Sequence, residues 1–113
     1  MTIARYEVGA RLSQAVKHGD TIYIAGQVAD GPSAKAQTEA ILKKIDAALA
    51  HFSSHKSKLL SATVYLADMG SYDEMNAAWD AWVEKGHAPA RATVQTKLAR
   101  PQFLVEIAGI ASA

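Results

Sequence analysis

The apolar residues of this chain recur at two different periods, and the change of period constrains the fold more than any other feature. From Ser33 onward they return at helical spacing, as at Ile41, Ile45 and Leu49. Polar residues fall elsewhere on the same turns, at Gln37, Lys43, Lys44 and Asp46. This pattern predicts an amphipathic helix from Ser33 to Phe52.

A second helix is predicted from Ser71 to Gly86. Ser71 and Glu74 have the spacing of a capping box, in which each side chain bonds the backbone N–H of the other residue. The apolar stripe then continues through Met75, Trp79 and Trp82. We expect this stripe to pack against a sheet, although tryptophans can also form a platform for stacking bases.

Elsewhere the apolar period is two, which predicts strands. The predicted strands are Thr2 to Val8, Leu12 to Lys17, Thr21 to Gln27, Leu60 to Leu66, Arg91 to Leu98 and Phe103 to Ala108. We expect the last two to form a hairpin around Ala99 to Gln102. The order β-β-β-α-β-α-β-β predicts a single α+β domain over residues 1–113, with a mixed sheet of about six strands and both helices on one face.

Length and composition limit the possible functions. The chain has 113 residues and no cysteine, which excludes disulfides, thiol nucleophiles and zinc sites built on thiolates. A net charge of +1, from 12 Lys+Arg and 11 Asp+Glu, disfavours nucleic acid as the main partner. Residues 1–9 lack the apolar run of a signal peptide, and no segment approaches a membrane span, so we expect a cytoplasmic protein.

The sheet face away from the helices is expected to be partly apolar. It is predicted to carry Leu104, Ala108, Ile110, Arg91, Thr93 and Glu106. An open apolar face of this kind is usually buried by another subunit. The sequence therefore predicts an oligomer.

Histidines and carboxylates give only weak signals of a site. His51 and His55 are four residues apart, a spacing that would place two metal ligands on one side of a helix. They lie where the first helix frays, and a solvated helix end is the favoured interpretation. Asp73 and Glu74 are explained by the positive end of the second helix.

Arg91 and Glu106 are stronger candidates, because charges on an inner strand are costly unless they are paired or used. With a hairpin turn at Arg100-Pro101, Glu106 would lie opposite Gln95, about 13 Å along the ladder from Arg91. The two charges would then not pair within one chain. They are expected either to form an intersubunit salt bridge or to share a pocket across a subunit boundary.

Six short motifs together resemble the Rid family of reactive imine/enamine deaminases, also called the YjgF-like family. They are Leu12 to Val16 (LSQAV), Ile24 to Val28 (IAGQV), Thr63 to Asp68 (TVYLAD), Met75-Asn76, Pro89 to Gln95 (PARATVQ) and Val105 to Ile107 (VEI). Their order and spacing match over nearly the whole chain.

The resemblance implies a chorismate-mutase-like protomer, a homotrimer and an active site in each cleft between subunits. It implies hydrolysis of 2-imino acids to 2-keto acids and ammonia, with no metal or cofactor. The family's carboxylate-binding arginine falls on Arg91 and its water-positioning glutamate on Glu106. Its backbone-donor glycine falls on Gly26 and its cleft asparagine on Asn76, while the backbone amide of Thr93 assists the clamp.

Three positions depart from the best-known branch of the family. That branch has a tyrosine at Leu12, a serine at Ala25 and often a cysteine at Thr93. The substrate-binding pocket of this chain is therefore expected to be more apolar at Leu12 and Ala25. The resemblance places this chain in a short branch that lacks the tyrosine.

Two alternatives to an imine deaminase stay open. A non-catalytic trimer would use Arg91 to bind a small carboxylate, such as a keto acid, and would not need Glu106. Older labels of the family name a ribonuclease or a translation inhibitor, which the near-neutral charge disfavours.

Overall fold

The computed structural model describes residues 1–113, which form six strands and two α-helices. The strands are β1 (Ile3–Val8), β2 (Ser13–His18), β3 (Thr21–Gln27), β4 (Leu59–Leu66), β5 (Ala90–Gln95) and β6 (Val105–Ser112). The helices are α1 (Ala34–His51) and α2 (Tyr72–Trp82). The predicted order of elements is confirmed, as is the mixed six-stranded sheet. Neither helix has the length and apolar character needed to cross a membrane.

The six strands form one sheet in the order β1-β2-β3-β6-β4-β5. Only β4 and β5 are parallel, and α2 is the crossover that joins them. The predicted hairpin of β5 and β6 is wrong, because β4 lies between these strands. The segment from 96 to 104 is longer than the two to five residues typical of hairpin loops, which allows β6 to return to the centre of the sheet.

Both helices cover one side of the sheet, which we call the helix face; the opposite side is the open face. The core lies between the helices and the central strands. Ile22, Val64 and Ile107 are all 0% exposed on the helix face. They pack with Ile41 and Leu49 of α1 in one cluster of buried residues. Burial of each such side chain contributes about 2 kcal/mol, so this layer holds the protomer together.

The predicted boundaries of helix α1, Ser33 and Phe52, are confirmed. Ser33 is the N-cap, and its hydroxyl accepts a hydrogen bond from the Ala36 N–H at 3.1 Å. Phe52 is the C-cap, where the helical backbone ends. The predicted apolar stripe is the buried one.

Helix α2 begins without the predicted capping box. Ser71 has φ −83° and ψ 1° and makes no side-chain cap hydrogen bond. Ser71 is the last residue of a 3-10 turn, Met69–Ser71, which is capped by Asp68. An N-cap residue needs an extended backbone, and Ser71 cannot adopt one while it is part of this turn. Glu74 instead accepts from the Lys35 N–H at 3.4 Å. The helix also ends at Trp82 rather than Gly86, because Val83 has ψ 138°.

Gln37 is buried, although the sequence pattern places it on the polar side of α1. It is 1% exposed. Its amide nitrogen donates to the Gly31 and Gln102 carbonyls at 3.1 and 3.0 Å, and its amide oxygen accepts from the Leu104 N–H at 2.8 Å. One side chain therefore joins the loop before α1 to the segment that leads into β6.

We predict that Gln37→Leu lowers the free energy of unfolding by about 2 kcal/mol, because a buried N–H loses its acceptor and two carbonyls lose a donor. Urea denaturation measures this change. Gln102→Leu is the matched control, since the Gln102 side chain is exposed and should shift the free energy by less than about 0.5 kcal/mol. Equal effects of the two substitutions would contradict the bridging role.

Candidate functional site

Arg91 lies on β5, at the edge of the sheet, and its side chain is on the helix face. Its register partner on β4 is Ala62, which is buried against the helices. The predicted placement of Arg91 on the open face is therefore wrong. The alternation in β5 is as predicted, but Ala92 and Val94 occupy the open face. A period of two identifies two faces without telling which one meets the helices.

The Arg91 guanidinium contacts α2 rather than a carboxylate. Its central carbon lies 5.0 Å from the centroid of the Trp79 ring, and Nη1 lies 3.9 Å from the Met75 sulfur. Neither contact neutralises the charge. The side chain is half-buried, and most of its N–H groups are left to bind a ligand.

Thr93 follows Arg91 on the same face of β5, beside the buried Val64 of β4, so its predicted placement on the open face is also wrong. Its hydroxyl oxygen is buried, and it is the one buried side-chain polar atom of the protomer without a hydrogen-bond partner. A buried hydroxyl that lacks a partner costs free energy, so such groups in a native fold indicate a ligand, water or partner. Thr93 and Arg91 are thus two polar residues on one face of the edge strand, neither with a charged or hydrogen-bonding oxygen partner in the protomer.

Asn76 is next to Met75 on α2. Its side chain is half-buried and makes no hydrogen bond within the protomer. The amide offers both a donor and an acceptor to a ligand. Helix α2 therefore supplies Asn76 to the same side of the sheet as Arg91 and Thr93.

Glu106 lies on the open face of the central strand β6. Its neighbours Val105 and Ile107 are both 0% exposed on the helix face, so the alternation directs Glu106 to the other side. Its register partner is Tyr65 of β4. The predicted open-face placement of Glu106 is confirmed. The predicted position opposite Gln95 is wrong, because β5 and β6 are not neighbours. Leu104, predicted on the same face, packs against the core instead.

Gly26 lies against the Glu106 carboxylate. A Cβ built at position 26 would collide with Glu106 Oε2 and would lie 2.9 Å from Cδ. The register of β3 against β6 shifts between Ile24 and Gln27, which is a β-bulge. The bulge and the missing side chain bring the backbone of Gly26 close to Glu106.

Ala25 and Leu12 occupy different environments. Ala25 is half-buried in the bulge next to Gly26, and its carbonyl accepts from the Gln27 side chain at 2.9 Å. Leu12 precedes β2, which β3 separates from β6, and its side chain is 53% exposed. The structure places Ala25 next to Gly26, the residue that lies against Glu106, and leaves Leu12 at the surface.

The site residues thus fall into two half-sites on opposite faces of the sheet. The arginine half-site is Arg91 and Thr93 of β5, with Asn76 on the overlying helix α2. The glutamate half-site is Glu106 and Gly26, with Ala25 next to Gly26 in the bulge. In the register, Arg91 and Glu106 are two strands and three residues apart, about 14 Å between Cα atoms, with the sheet between their side chains. Neither residue lines any cavity of the protomer. The half-sites therefore cannot act on one small molecule within a single protomer.

The open face carries exposed apolar side chains around the glutamate half-site. Tyr23, Val94 and Ile110 are 50%, 42% and 38% exposed. Tyr23 and Ile110 are register partners on β3 and β6. A contiguous apolar surface next to a charged group is typical of a protein interface.

The two histidines considered as metal ligands have other contacts. Helix α1 ends at His51, whose ring lies 4.7 Å from Tyr6 and 4.8 Å from Phe52 between centroids. His55 lies beyond the helix and caps the 3-10 turn Lys56–Lys58, with Nδ1 accepting from the Ser57 N–H. Both side chains are exposed and they do not share a helical face, so the favoured interpretation of a solvated helix end is confirmed. No group of three or more potential metal-ligating side chains forms in the structure.

Two contacts of Arg91 were not expected from the sequence as parts of a site. The pattern identifies Met75 and Trp79 as core residues, and their burial at 0% and 5% confirms this. Their contact with Arg91 depends on the crossover that places α2 over β5. The signal available in the sequence is the helical spacing of the two residues, directly upstream of the strand that carries Arg91.

Comparison with known proteins gives a consistent family. The family profile described as endoribonuclease L-PSP matches residues 2–113. The RutC family protein YoaB of Escherichia coli K12 is 46% identical over 114 residues, which cover 99% of each chain.

Solved structures share the fold. NMB1025 of Neisseria meningitidis, a member of the YjgF protein family, superposes with a TM-score of 0.97 and 44% identity, covering 99% of this chain and 95% of that one. YyfA of Yersinia pestis, of the conserved Rid protein family, gives a TM-score of 0.86 and 26% identity, covering 94% and 90%. The chain therefore belongs to the YjgF-like family, also called the Rid or RutC family, whose profile is described as endoribonuclease L-PSP.

Proposed function

We propose that this protein hydrolyses reactive 2-imino acids, such as 2-iminopropanoate and 2-iminobutanoate, to 2-keto acids and ammonium. The observation that carries the proposal is the arginine half-site, where an Arg91 guanidinium without a carboxylate partner stands beside the unpartnered hydroxyl of Thr93. This combination suits a small carboxylate. Membership of a family that contains the Rid proteins supports the choice of an imino acid.

Arg91 would bind the substrate carboxylate by two parallel, charge-assisted hydrogen bonds. Such a bidentate clamp fixes the direction of the imine carbon relative to the rest of the cleft. The backbone N–H of Thr93 would assist, because β5 is an edge strand with backbone groups free to bind. Asn76 would contribute its amide from α2.

Glu106 would act on the opposite side of the imine carbon. Its carboxylate would accept a proton from a water molecule as the water oxygen attacks the carbon of the protonated imine. The proton would then pass from Glu106 to the nitrogen of the carbinolamine. As the carbon–nitrogen bond breaks, the remaining hydroxyl proton would pass through Glu106 to the departing ammonia, which leaves as ammonium. The net reaction converts one iminium and one water into one keto group and one ammonium ion.

Positioning is sufficient for this chemistry, because protonated imines react with water without a covalent catalyst. Holding the carboxylate and the water at fixed places supplies the entropic part of the acceleration. Gly26 would contribute a backbone N–H to the cleft and leave the space that Glu106 requires. Ala25 would line the cleft next to Gly26, and Leu12, exposed in the protomer, would reach a cleft only by facing a neighbouring subunit. Both lack hydroxyl groups, which would favour substrates with short apolar side chains.

The complete cleft would form between subunits of a homotrimer. The arginine half-site of one protomer would face the glutamate half-site of the next, since one protomer holds them on opposite faces of the sheet. The exposed apolar residues of the open face would be buried in the same association. The physiological role would be the removal of damaging metabolites in the cytoplasm.

The family description names an endoribonuclease, but charge favours a small molecule as the ligand. Affinity for nucleic acid comes largely from Lys and Arg contacts to phosphates. This chain has 12 such residues and 11 acidic ones. A small carboxylate needs a single guanidinium.

We predict that Arg91→Ala abolishes the release of keto acid above the spontaneous rate, because the carboxylate loses its clamp. The substrate is generated in place by an amino-acid oxidase, and ammonium or keto acid is measured at equal trimer concentration. Arg100→Ala, which removes an exposed arginine, is the matched control and should retain activity. Full activity of a folded, trimeric Arg91→Ala protein would refute the mechanism.

We predict that Glu106→Gln reduces the hydrolysis rate by about 100-fold, the usual contribution of a general base. The dissociation constant for a stable keto acid such as 2-oxobutanoate should change less than about twofold, since a clamp that stabilises ground and transition states alike is intact. Calorimetry measures the binding. A wild-type protein that binds 2-oxobutanoate without hydrolysing imines would instead be the non-catalytic carboxylate-binding module.

We predict that mixed trimers of the Arg91→Ala and Glu106→Gln proteins regain activity. In a trimer with clefts shared between neighbours, every mixed trimer contains one cleft with both Arg91 and Glu106. Random exchange of equal amounts should therefore give about a quarter of the wild-type activity. The subunits are denatured together and refolded, with separately refolded variants as the control. Failure to recover activity in trimers shown to be mixed would contradict an intersubunit cleft.

A further inference from the structure

We propose that Trp79, assisted by Met75, is a positioning residue that aims the Arg91 guanidinium at the substrate carboxylate. This inference rests on the proposed role of Arg91 and adds a specific source for its orientation. The ligand remains a small 2-imino or 2-keto carboxylate.

The geometry places Arg91 between two buried residues of α2. The guanidinium carbon lies 5.0 Å from the Trp79 ring centroid, within the range of about 6 Å for attraction between a cation and an aromatic face. Met75 Sδ lies 3.9 Å from Nη1. Trp79 and Met75 are 5% and 0% exposed, so the core fixes both side chains.

An aromatic ring and a carboxylate can both hold a guanidinium in place, but they differ in how many of its N–H groups stay available to a ligand. The five N–H groups of a guanidinium lie in its plane and point away from its edges. A carboxylate partner would occupy these N–H groups and neutralise the charge. An aromatic face attracts the cation while leaving the edges available. Trp79 therefore orients Arg91 without competing for the hydrogen bonds that the substrate carboxylate needs.

Orientation before binding improves affinity. A free arginine side chain has many rotamers, and part of this rotamer entropy is lost when the side chain forms a bidentate pair. Contact with a rigid indole restricts Arg91 in advance and so lowers the entropic cost of binding. The effect belongs to binding, because the clamp acts on ground state and transition state alike.

The other tryptophan has a separate structural role. The Trp82 indole N–H donates to Asp46 of α1 at 3.0 Å, and Lys56 lies over its ring at 5.3 Å from the centroid. These contacts join the two helices at a distance from Arg91. Trp82→Phe is therefore a matched control for a substitution at Trp79.

The test compares Trp79→Leu, Trp79→Phe and Trp82→Phe with the wild-type protein. We expect Trp79→Leu to raise both the KM for the imine and the Kd for 2-oxobutanoate about tenfold, with kcat changed less than twofold. Trp79→Phe keeps an aromatic face, so it should raise this KM and this Kd only about threefold. Trp82→Phe should match the wild type in binding.

A spectroscopic measurement separates positioning from a purely structural role. The chain has two tryptophans, so Trp79 is the sole indole in the Trp82→Phe protein. Titration with 2-oxobutanoate should change its fluorescence, because the bound carboxylate alters the charge over the ring. Arg91→Ala in the same background should remove this change.

The outcomes are distinct. If Trp79→Leu folds and binds 2-oxobutanoate as the wild type does, the positioning role is refuted. If Trp79→Leu does not fold, two other measurements decide. The proposal is refuted if Trp79→Phe binds 2-oxobutanoate with the wild-type Kd and if 2-oxobutanoate does not change the fluorescence of the Trp82→Phe protein. A wild-type protein that binds 2-oxobutanoate with the expected variant effects but hydrolyses no imine refutes the proposed activity and supports the positioning role. A wild-type protein that neither binds 2-oxobutanoate nor hydrolyses imines refutes both.

Discussion

The place of β6 between β3 and β4 determines how the rest of this protein is arranged. As a central strand, β6 buries Val105 and Ile107 under the helices and directs Glu106 to the open face. Its insertion also leaves β5 at the edge, paired only with β4. An edge strand can present a charged side chain such as Arg91 to a ligand without full desolvation. The separation of the two half-sites therefore follows from strand order.

Strand and helix locations were largely predictable, because periodicity and caps are local signals. The strand Thr21–Gln27 and the start of α1 at Ser33 are as predicted. Strand order is not local, and the interpretation of β5 and β6 as a hairpin followed from their adjacency in sequence. The predicted placement of Arg91 on the open face was wrong for a related reason. Ala92 and Val94 are small or apolar and suit either the core or a subunit interface, so the alternation does not show which face of β5 meets the helices.

The role of a side chain was less predictable where it hydrogen-bonds to backbone groups that are far away in the sequence. Gln37 satisfies groups at Gly31, Gln102 and Leu104, and no spacing rule links these positions. The capping box failed because the 3-10 turn capped by Asp68 changes the backbone of Ser71. Within the candidate site, the family motifs identified the residues, whereas the division into half-sites required the sheet. A close approach such as that of Gly26 to Glu106 depends on a bulge, which sequence alone does not specify.

In the proposed mechanism, the contact of Arg91 with Trp79 and Met75 would connect the packing of α2 to ligand binding at the sheet edge. Burying an arginine without a counter-ion is costly, and this cost limits how far the side chain can move into the core. Half-burial against an aromatic face is a compromise, because the ring compensates part of the lost hydration while the N–H edges remain solvated. A carboxylate ligand would supply the missing counter-charge. The same unpaired cation that contributes little to the stability of the protomer can therefore contribute strongly to the binding of an anionic substrate.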